Sequence, residues 1–253
     1  TDVMTLPIDQ YECQIRCSNL LTMCRQHKGI KLRATQLEQE ITVAVQQVQD
    51  REQETLLRLA KAGEFRDEDT GLHVVRVAAY SRLIAEKLGL SHRHCEMIEK
   101  AAPMHDIGKV GINDHILLKD SSYTMSERAL MQTHTTIGYN ILKGSPSRYL
   151  RAGAVIARSH HERFDGRGYP FGLKSNEIPL MARIVAIADV FDALTTQRPY
   201  KRPWSRAAAF EHLHRERGHH FDPECVDTFL AHESTIIQIQ QPSQPKLTVS
   251  PHQ

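Results

Sequence analysis

Leu180-Met181-Ala182-Arg183-Ile184-Val185-Ala186-Ile187-Ala188-Asp189-Val190-Phe191-Asp192-Ala193-Leu194 is a strongly apolar run entered through Ile178-Pro179, and we read it as a helix. Inside such a run Asp189 cannot be buried unpaired without a cost on the order of several kcal/mol, so it must meet a cation, a metal or several donors. Working outward, the pattern stays helical. Upstream, Tyr149 to His161 form one helix. Before it, Ser126-Glu127-Arg128 opens another that runs through Ile137 and Ile141 and stops at Gly144-Ser145-Pro146. Ser91 caps a helix leading to His105, and Asp69-Thr70 cap one carrying Val74, Val77, Ala78, Leu83 and Ile84 that ends near Gly89. Downstream, Trp204-Ser205 begins a shorter helix. Phe164 to Gly172 is too rich in Gly and Pro to be regular, so it is a loop. No stretch alternates convincingly as a strand, and the expected class is all-α.

From Leu32 to about Ala62 there is no Pro, and Leu37, Ile41, Val45, Val48, Leu56 and Leu59 recur in steps dominated by three and four, which predicts a long amphipathic helix. It either packs on its own domain or forms a dimerising coiled coil. Glu52 interrupts the stripe, whereas a coiled-coil seam wants sustained heptads. The expected division is an N-terminal segment 1–27, a helical linker 28–62, a main domain 63–233 and a flexible tail 234–253 containing Ile236-Ile237-Gln238-Ile239.

The 253 residues, 40% of them hydrophobic, suffice for one substantial core plus an appendage. Lys+Arg total 32 against 30 Asp+Glu, so no basic field points to a nucleic-acid polymer. Cys13, Cys17, Cys24, Cys95 and Cys225 are odd in number and form no CxxC pair; this argues against a disulfide framework or thiolate zinc site and suits a reducing cytoplasm. No apolar run approaches the roughly 20 residues that span a bilayer, so no membrane association is expected.

The excess of 15 histidines needs a reason. His105-Asp106, followed by Ile107-Gly108-Lys109, shares the chain with His73, His134, His160 and His161 on neighbouring helices, and imidazole with carboxylate is a ligand set for divalent metals. If the helices pack as a bundle, these side chains converge inward with Asp189. Together they are too many for one tetrahedral ion and suit two adjacent metals, with Asp106 as the candidate bridge; such sites activate a bridging water and neutralise charge on a phosphate under attack.

Three ordered motifs carry a resemblance: His105-Asp106-Ile107-Gly108-Lys109; His160-His161-Glu162 followed by Asp165-Gly166 and Gly168-Tyr169-Pro170; and Ile187-Ala188-Asp189-Val190-Phe191-Asp192-Ala193-Leu194. They resemble the HD-GYP family, a branch of the HD superfamily of metal phosphohydrolases, over roughly Leu59 to Leu230. The resemblance implies an all-α HD bundle and metal-dependent hydrolysis of cyclic di-GMP to linear pGpG, with GMP as the further product, through a metal-bridged hydroxide. Iron or manganese is the implied metal, held by His73, His105, Asp106, His134, His160, His161 and Asp189. Lys109 matches a residue placed near the scissile phosphate. Tyr169, Arg198 and Lys201 match positions that hold the substrate's base and phosphates, roles that suit an aromatic face, a bidentate guanidinium and a point charge.

Where some members place a Glu four residues before the first histidine and hold a third metal, this chain has Asp69. Its carboxylate is shorter by a methylene, so two metals are expected, with Asp69 as a candidate ligand, a partner of a ligand or a helix cap. Glu162 is expected at the surface, with contact to a ligand histidine as the alternative. His92, His94, His115, His212, His214, His219 and His220 match no metal position. Met4-Thr5-Leu6-Pro7-Ile8 is similar to the end of a response-regulator receiver domain, with Leu6 at the usual lysine; a truncated or lost receiver is the expectation. Two other functions compete: a noncatalytic module binding the dinucleotide or a protein through Gly168-Tyr169-Pro170, and an HD phosphohydrolase for another cyclic dinucleotide or a nucleotide. Homodimerisation through the 32–62 helix is a further expectation.

Overall fold

The computed structural model describes residues 9–64, 72–197 and 202–241. It is all-α. Its helices are α1 (Gln10–Glu64), α2 (His73–Lys87), α3 (His92–Ala101), α4 (Asp114–Leu117), α5 (Met125–Gln132), α6 (His134–Leu142), α7 (Arg148–Ser159), α8 (Leu180–Thr195), α9 (Arg206–Arg215), α10 (Pro223–Leu230) and α11 (Glu233–Gln240). Short 3-10 turns cover Ala102–Met104, Ile107–Gly111 and Ser175–Glu177. Among the described residues, β pairing is limited to the isolated bridges Asp165 with Lys174 and Arg217 with Phe221. No described helix is long and apolar enough to cross a membrane.

The chain divides into two compact units, Thr1–Gln53 and Glu54–Gln253. In the first unit α1 exposes the apolar residues that predicted an amphipathic helix, Leu37, Ile41, Val45 and Val48 among them. The helix is longer than its expected span, starting at Gln10 and passing through Gly29, where a glycine costs only about 1 kcal/mol against alanine. The receiver-like Met4 to Ile8 lie outside the described residues.

The second unit begins inside α1, because Leu56 and Ala60 are buried against Val74, Met104, Leu142 and Ala157. Its main core joins α2, α3, α7, α8, α9, α10 and α11 around Tyr80, Ile84, Ile184, Phe191, Phe221 and Phe229. Tyr80 and Phe229 meet the Phe191 ring edge-on, at 5.4 and 5.1 Å between centroids. Fully burying an aromatic of this kind contributes roughly 1.5–3 kcal/mol. That core makes α8 a rigid rail for Asp189 and Asp192.

Ser91, Ser147 and Ser205 cap α3, α7 and α9 through their hydroxyls. Two expectations change. The helix assigned to Ser126 is capped instead by Thr124, whose hydroxyl accepts from the Glu127 amide while the Glu127 carboxylate accepts from the Thr124 amide. It also breaks at Thr133, so α6 starts afresh on His134. The second change is in the tail: Glu233–Gln240 is helical, Ile236 is fully buried in the main core, and Gln240 Nε2 donates to Thr195 Oγ1 at 3.0 Å. Ile236, with Ile239 packed beside it, anchors the segment to the core. Residues 242–253 lie outside the described part.

Candidate metal centre

Four helices and one turn bring the chemistry together. His73 is the first residue of α2, His105 and Asp106 occupy the corner between two 3-10 turns, His134 opens α6, His160 and His161 follow α7, and Asp189 lies mid-α8. The corner is possible because Gly108 has no side chain: a Cβ there would stand 1.9 Å from the His134 carbonyl oxygen and 2.5 Å from the Gly138 nitrogen. The glycine in the His-Asp motif is thus a contact between the Ile107–Gly111 turn and α6.

Each of four imidazoles is oriented the same way. His73 Nδ1 bonds Asp192 Oδ2 at 2.8 Å, His105 Nδ1 bonds the Ala102 carbonyl at 3.0 Å, His134 Nδ1 bonds the Met131 carbonyl at 2.7 Å, and His160 Nδ1 bonds the Ala157 carbonyl at 3.1 Å. A carbonyl or carboxylate only accepts, so Nδ1 carries the proton and Nε2 keeps its lone pair. The Nε2 atoms of His134 and His160 face Asp106 Oδ1, and those of His73 and His105 face Asp189 Oδ1. Among the described residues the Nε2 atoms of His105, His134 and His160 have no hydrogen-bond partner, nor does Asp106 Oδ1. Buried polar atoms are normally paired, so a convergent unpaired set needs an occupant.

Asp106 divides the set. Its Oδ1 lies 3.3 Å from His134 Nε2 and 3.4 Å from His160 Nε2, and its Oδ2 lies 3.5 Å from His105 Nε2 and 2.9 Å from Lys109 Nζ. Asp106, His134, His160 and His161 form one group able to hold an ion. On the other side, Asp189 Oδ1 is 3.4 Å from His73 Nε2 and 3.8 Å from His105 Nε2. Ligand atoms about 2.0–2.2 Å from one ion stand roughly 3 Å apart at right angles and up to about 4.4 Å when opposed, so both spacings are compatible with cations.

The electrostatics agree. Burial alone would lower the His105 pKa, but Asp106, Asp189 and Glu64 raise it from 6.5 to about 9. His73 is likewise raised against the effect of burial, by Asp189 and Asp192. Burial would raise Asp106, yet Lys109 and His105 hold it well below the ordinary carboxylate range; Asp189 is lowered against burial by His73 and His105. A pocket that draws protons onto buried imidazoles favours added positive charge. His160 and His161 go the other way, both depressed chiefly by burial, His161 also by His160.

The donor set therefore fits divalent metal. It opens on a cleft of about 320 Å³ lined by Asp106, Lys109, Tyr123, His161, Tyr169 and Asp189. Tyr169 stacks on His161 at 4.8 Å, so one face of its ring is already engaged. Arg198, Lys201 and Asp69 lie outside the described residues. Glu162 is a correction: it is 2% exposed, not a surface residue, and its carboxylate accepts from the backbone amides of Phe171 at 2.8 Å and Leu173 at 3.0 Å, pinning the loop that carries Gly168-Tyr169-Pro170. Gly168 makes the close approach possible, since a Cβ there would stand 2.2 Å from the Arg163 nitrogen.

Sequence reasoning passed over Glu64 and Asp192. Glu64 follows Leu56 and Ala60 at helical spacing, on the buried face of α1; Asp192 is one turn beyond Asp189 in the apolar run. Both signals were periodicity signals.

A model described as HD domain matches residues 36–225. The chain belongs to the HD domain family. Among relatives of this HD domain protein, a Xanthomonas campestris pv. campestris protein called cyclic di-GMP phosphodiesterase response regulator RpfG is 48% identical over 94% of this chain and 63% of its own. A Vibrio cholerae protein called 3'3'-cGAMP-specific phosphodiesterase 2 is 43% identical over 74% of this chain and 36% of its own. The HD domain chain thus spans less than two thirds of either relative. A solved structure titled as a cyclic GMP-AMP specific phosphodiesterase of V. cholerae shares the fold, with TM-score 0.52 and 21% identity over 75% of this chain and 53% of its own.

Proposed function

We propose that this HD domain protein is a divalent-metal-dependent phosphodiesterase that opens cyclic di-GMP to linear pGpG, with hydrolysis onward to GMP as its second step. The observation that carries this is the inward array of unpaired imidazole Nε2 atoms around the two oxygens of Asp106. The names of the relatives at 48% and 47% identity support cyclic di-GMP as substrate.

In this reading His134, His160, His161 and Asp106 would hold one ion, His73, His105, Asp189 and Asp106 would hold another, and iron or manganese suits these ligands. Bound there, divalent ions supply a water of lowered pKa and polarise a phosphate oxygen. The chain's own groups do the rest. The Asp106 carboxylate would be shared between the two ligand sets, and its charge is balanced by Lys109 at 2.9 Å. Lys109, on the cleft wall, donates to a phosphate oxygen or protonates the departing ribose oxygen. Tyr169 presents its outer face to a guanine, and Arg198 and Lys201 clamp the phosphates. A cytoplasmic location rests on the five cysteines read from the sequence. Self-association through residues 32–62 rests on the exposed Leu37, Ile41, Val45 and Val48. The Gly168-Tyr169-Pro170 loop is the proposed contact for a protein partner.

A second reading, hydrolysis of 3'3'-cGAMP, is favoured by the names of relatives at 43% and 42% identity. The test is anaerobic loading with Fe(II) or Mn(II), followed by chromatography of products from both dinucleotides. Cyclic di-GMP should be consumed faster and give pGpG, and His105→Ala or Asp106→Ala should abolish it. Turnover retained in Asp106→Ala after its metal is lost would overturn the proposal. Tight binding with no turnover under any metal would leave a binding module instead.

A further inference from the structure

Glu64 ends α1 and is 3% exposed, yet neither carboxylate oxygen has a hydrogen-bond partner among the described residues. A buried carboxylate normally collects several donors, and this one faces two imidazoles: Glu64 Oε1 is 3.8 Å from His73 Nε2 and 3.9 Å from His105 Nε2. Both distances exceed a hydrogen bond, so an imidazolium proton on either ring does not satisfy the carboxylate. Both rings also spend their Nδ1–H elsewhere, on Asp192 and on the Ala102 carbonyl. Two ring nitrogens and a carboxylate thus converge with no hydrogen bond between them. Glu64, His73 and His105 form a group whose ligand atoms all lie within 4.8 Å of one another.

We propose that Glu64 is a direct ligand of the metal held by His73, His105 and Asp189, supplied by the last turn of α1. The proposal rests on the metal-centre reading and adds a ligand to it. Asp69 is then not required to complete that position. Glu64 is held in place by the burial of Ala60 and Leu56, one and two turns earlier, so the packing of α1's end sets how completely this metal is enclosed.

The test uses the full chain, stripped with chelator and titrated with Mn(II) against a competing chelator, for wild type, Glu64→Gln and Glu64→Asp. Bound Mn(II) per chain and the melting temperature of the stripped proteins are read alongside. Outer partners of ligands typically change affinity by about 10–100-fold, so a direct ligand should do at least as much. We expect Glu64→Gln to weaken one Mn(II) by about a hundredfold and leave the other within about threefold. Glu64→Asp should fall between. Stripped Glu64→Gln should melt no lower than stripped wild type, because an unpaired buried charge has been removed. Unchanged affinity and stoichiometry in Glu64→Gln would overturn the assignment while leaving the centre intact. So would loss of both ions together with a lower melting temperature of the stripped variant, which marks a structural role. Wild type that binds no Mn(II) would overturn the metal-centre reading and this proposal with it.

Discussion

His73 and Asp192, 119 residues apart in sequence, are joined by a 2.8 Å bond from the imidazole Nδ1 to the carboxylate Oδ2, and Arg76 donates to both carboxylate oxygens at 2.6 and 2.8 Å. Asp192 is fully buried, so this contact sets which nitrogen of His73 faces the candidate metal. Asp192→Asn keeps the shape but turns an amide toward donors. Metal affinity, read by chelator competition, should fall about 10–100-fold although His73 is still present. Asp192→Ala, which takes the shared acceptor from both His73 and Arg76, should cost about 3–5 kcal/mol in urea unfolding.

Glu162 predicts a separable effect on the loop. Its two backbone bonds hold Phe171 and Leu173 without touching the Nε2 array. Bonds to a charged acceptor contribute about 1.5–3 kcal/mol each. In Glu162→Ala the amides of Phe171 and Leu173 should exchange hydrogen faster by at least tenfold, and KM for the dinucleotide should rise more than kcat falls. Metal content should stay at the wild-type level.

Gly108→Ala tests the corner that presents His105 and Asp106. The added methyl meets backbone atoms of α6 at 1.9 and 2.5 Å, which cannot swing aside as a side chain can. Overpacking typically costs about 1–3 kcal/mol, and backbone opposition puts this substitution at the upper end. Thermal melting should show the loss, and metal binding should weaken with it because the same atoms belong to the His134 turn.

The charge distribution predicts a pH dependence for the metal-free protein. The folded-state pKa of His105 is raised from 6.5 to about 9, so its protonated form stabilises the fold fully below about pH 6.5, and that contribution is lost as pH rises through about 9. His73 shifts in the same direction. The melting temperature of chelator-stripped protein should therefore fall between pH 6.5 and 9, while Mn(II) affinity rises across that window because metal and proton compete for Nε2. A stripped protein whose melting temperature is flat over that window would contradict the assignment of charge to this pocket.

Much of the fold was legible because helix-forming sequence announces itself locally. The apolar run 180–194, the Ser91 and Ser205 caps and the break at Gly144 depend on neighbours a few residues away. The tail helix was missed because Ile236 and Ile239 find their partners in a core assembled from distant segments, and the short isoleucine patch lies among Gln, Ser and Pro. Thr124 was missed as a cap in favour of Ser126 because both satisfy the local rule, and only the reciprocal bond with Glu127 separates them.

From the sequence alone came the identity of the convergent groups: His73, His105, Asp106, His134, His160, His161 and Asp189 carry donor atoms by residue type, and their spacing puts them on successive elements. Tertiary structure decided which way each ring turns, that Asp106 faces both sides, that Glu162 is a buried anchor, and that Glu64 belongs beside His73 and His105. The physical reason is that helical periodicity reports which face of an element is buried but not what lies opposite. A carboxylate on that face acquires its role from a partner up to 119 residues away, and that pairing exists only once the helices have packed.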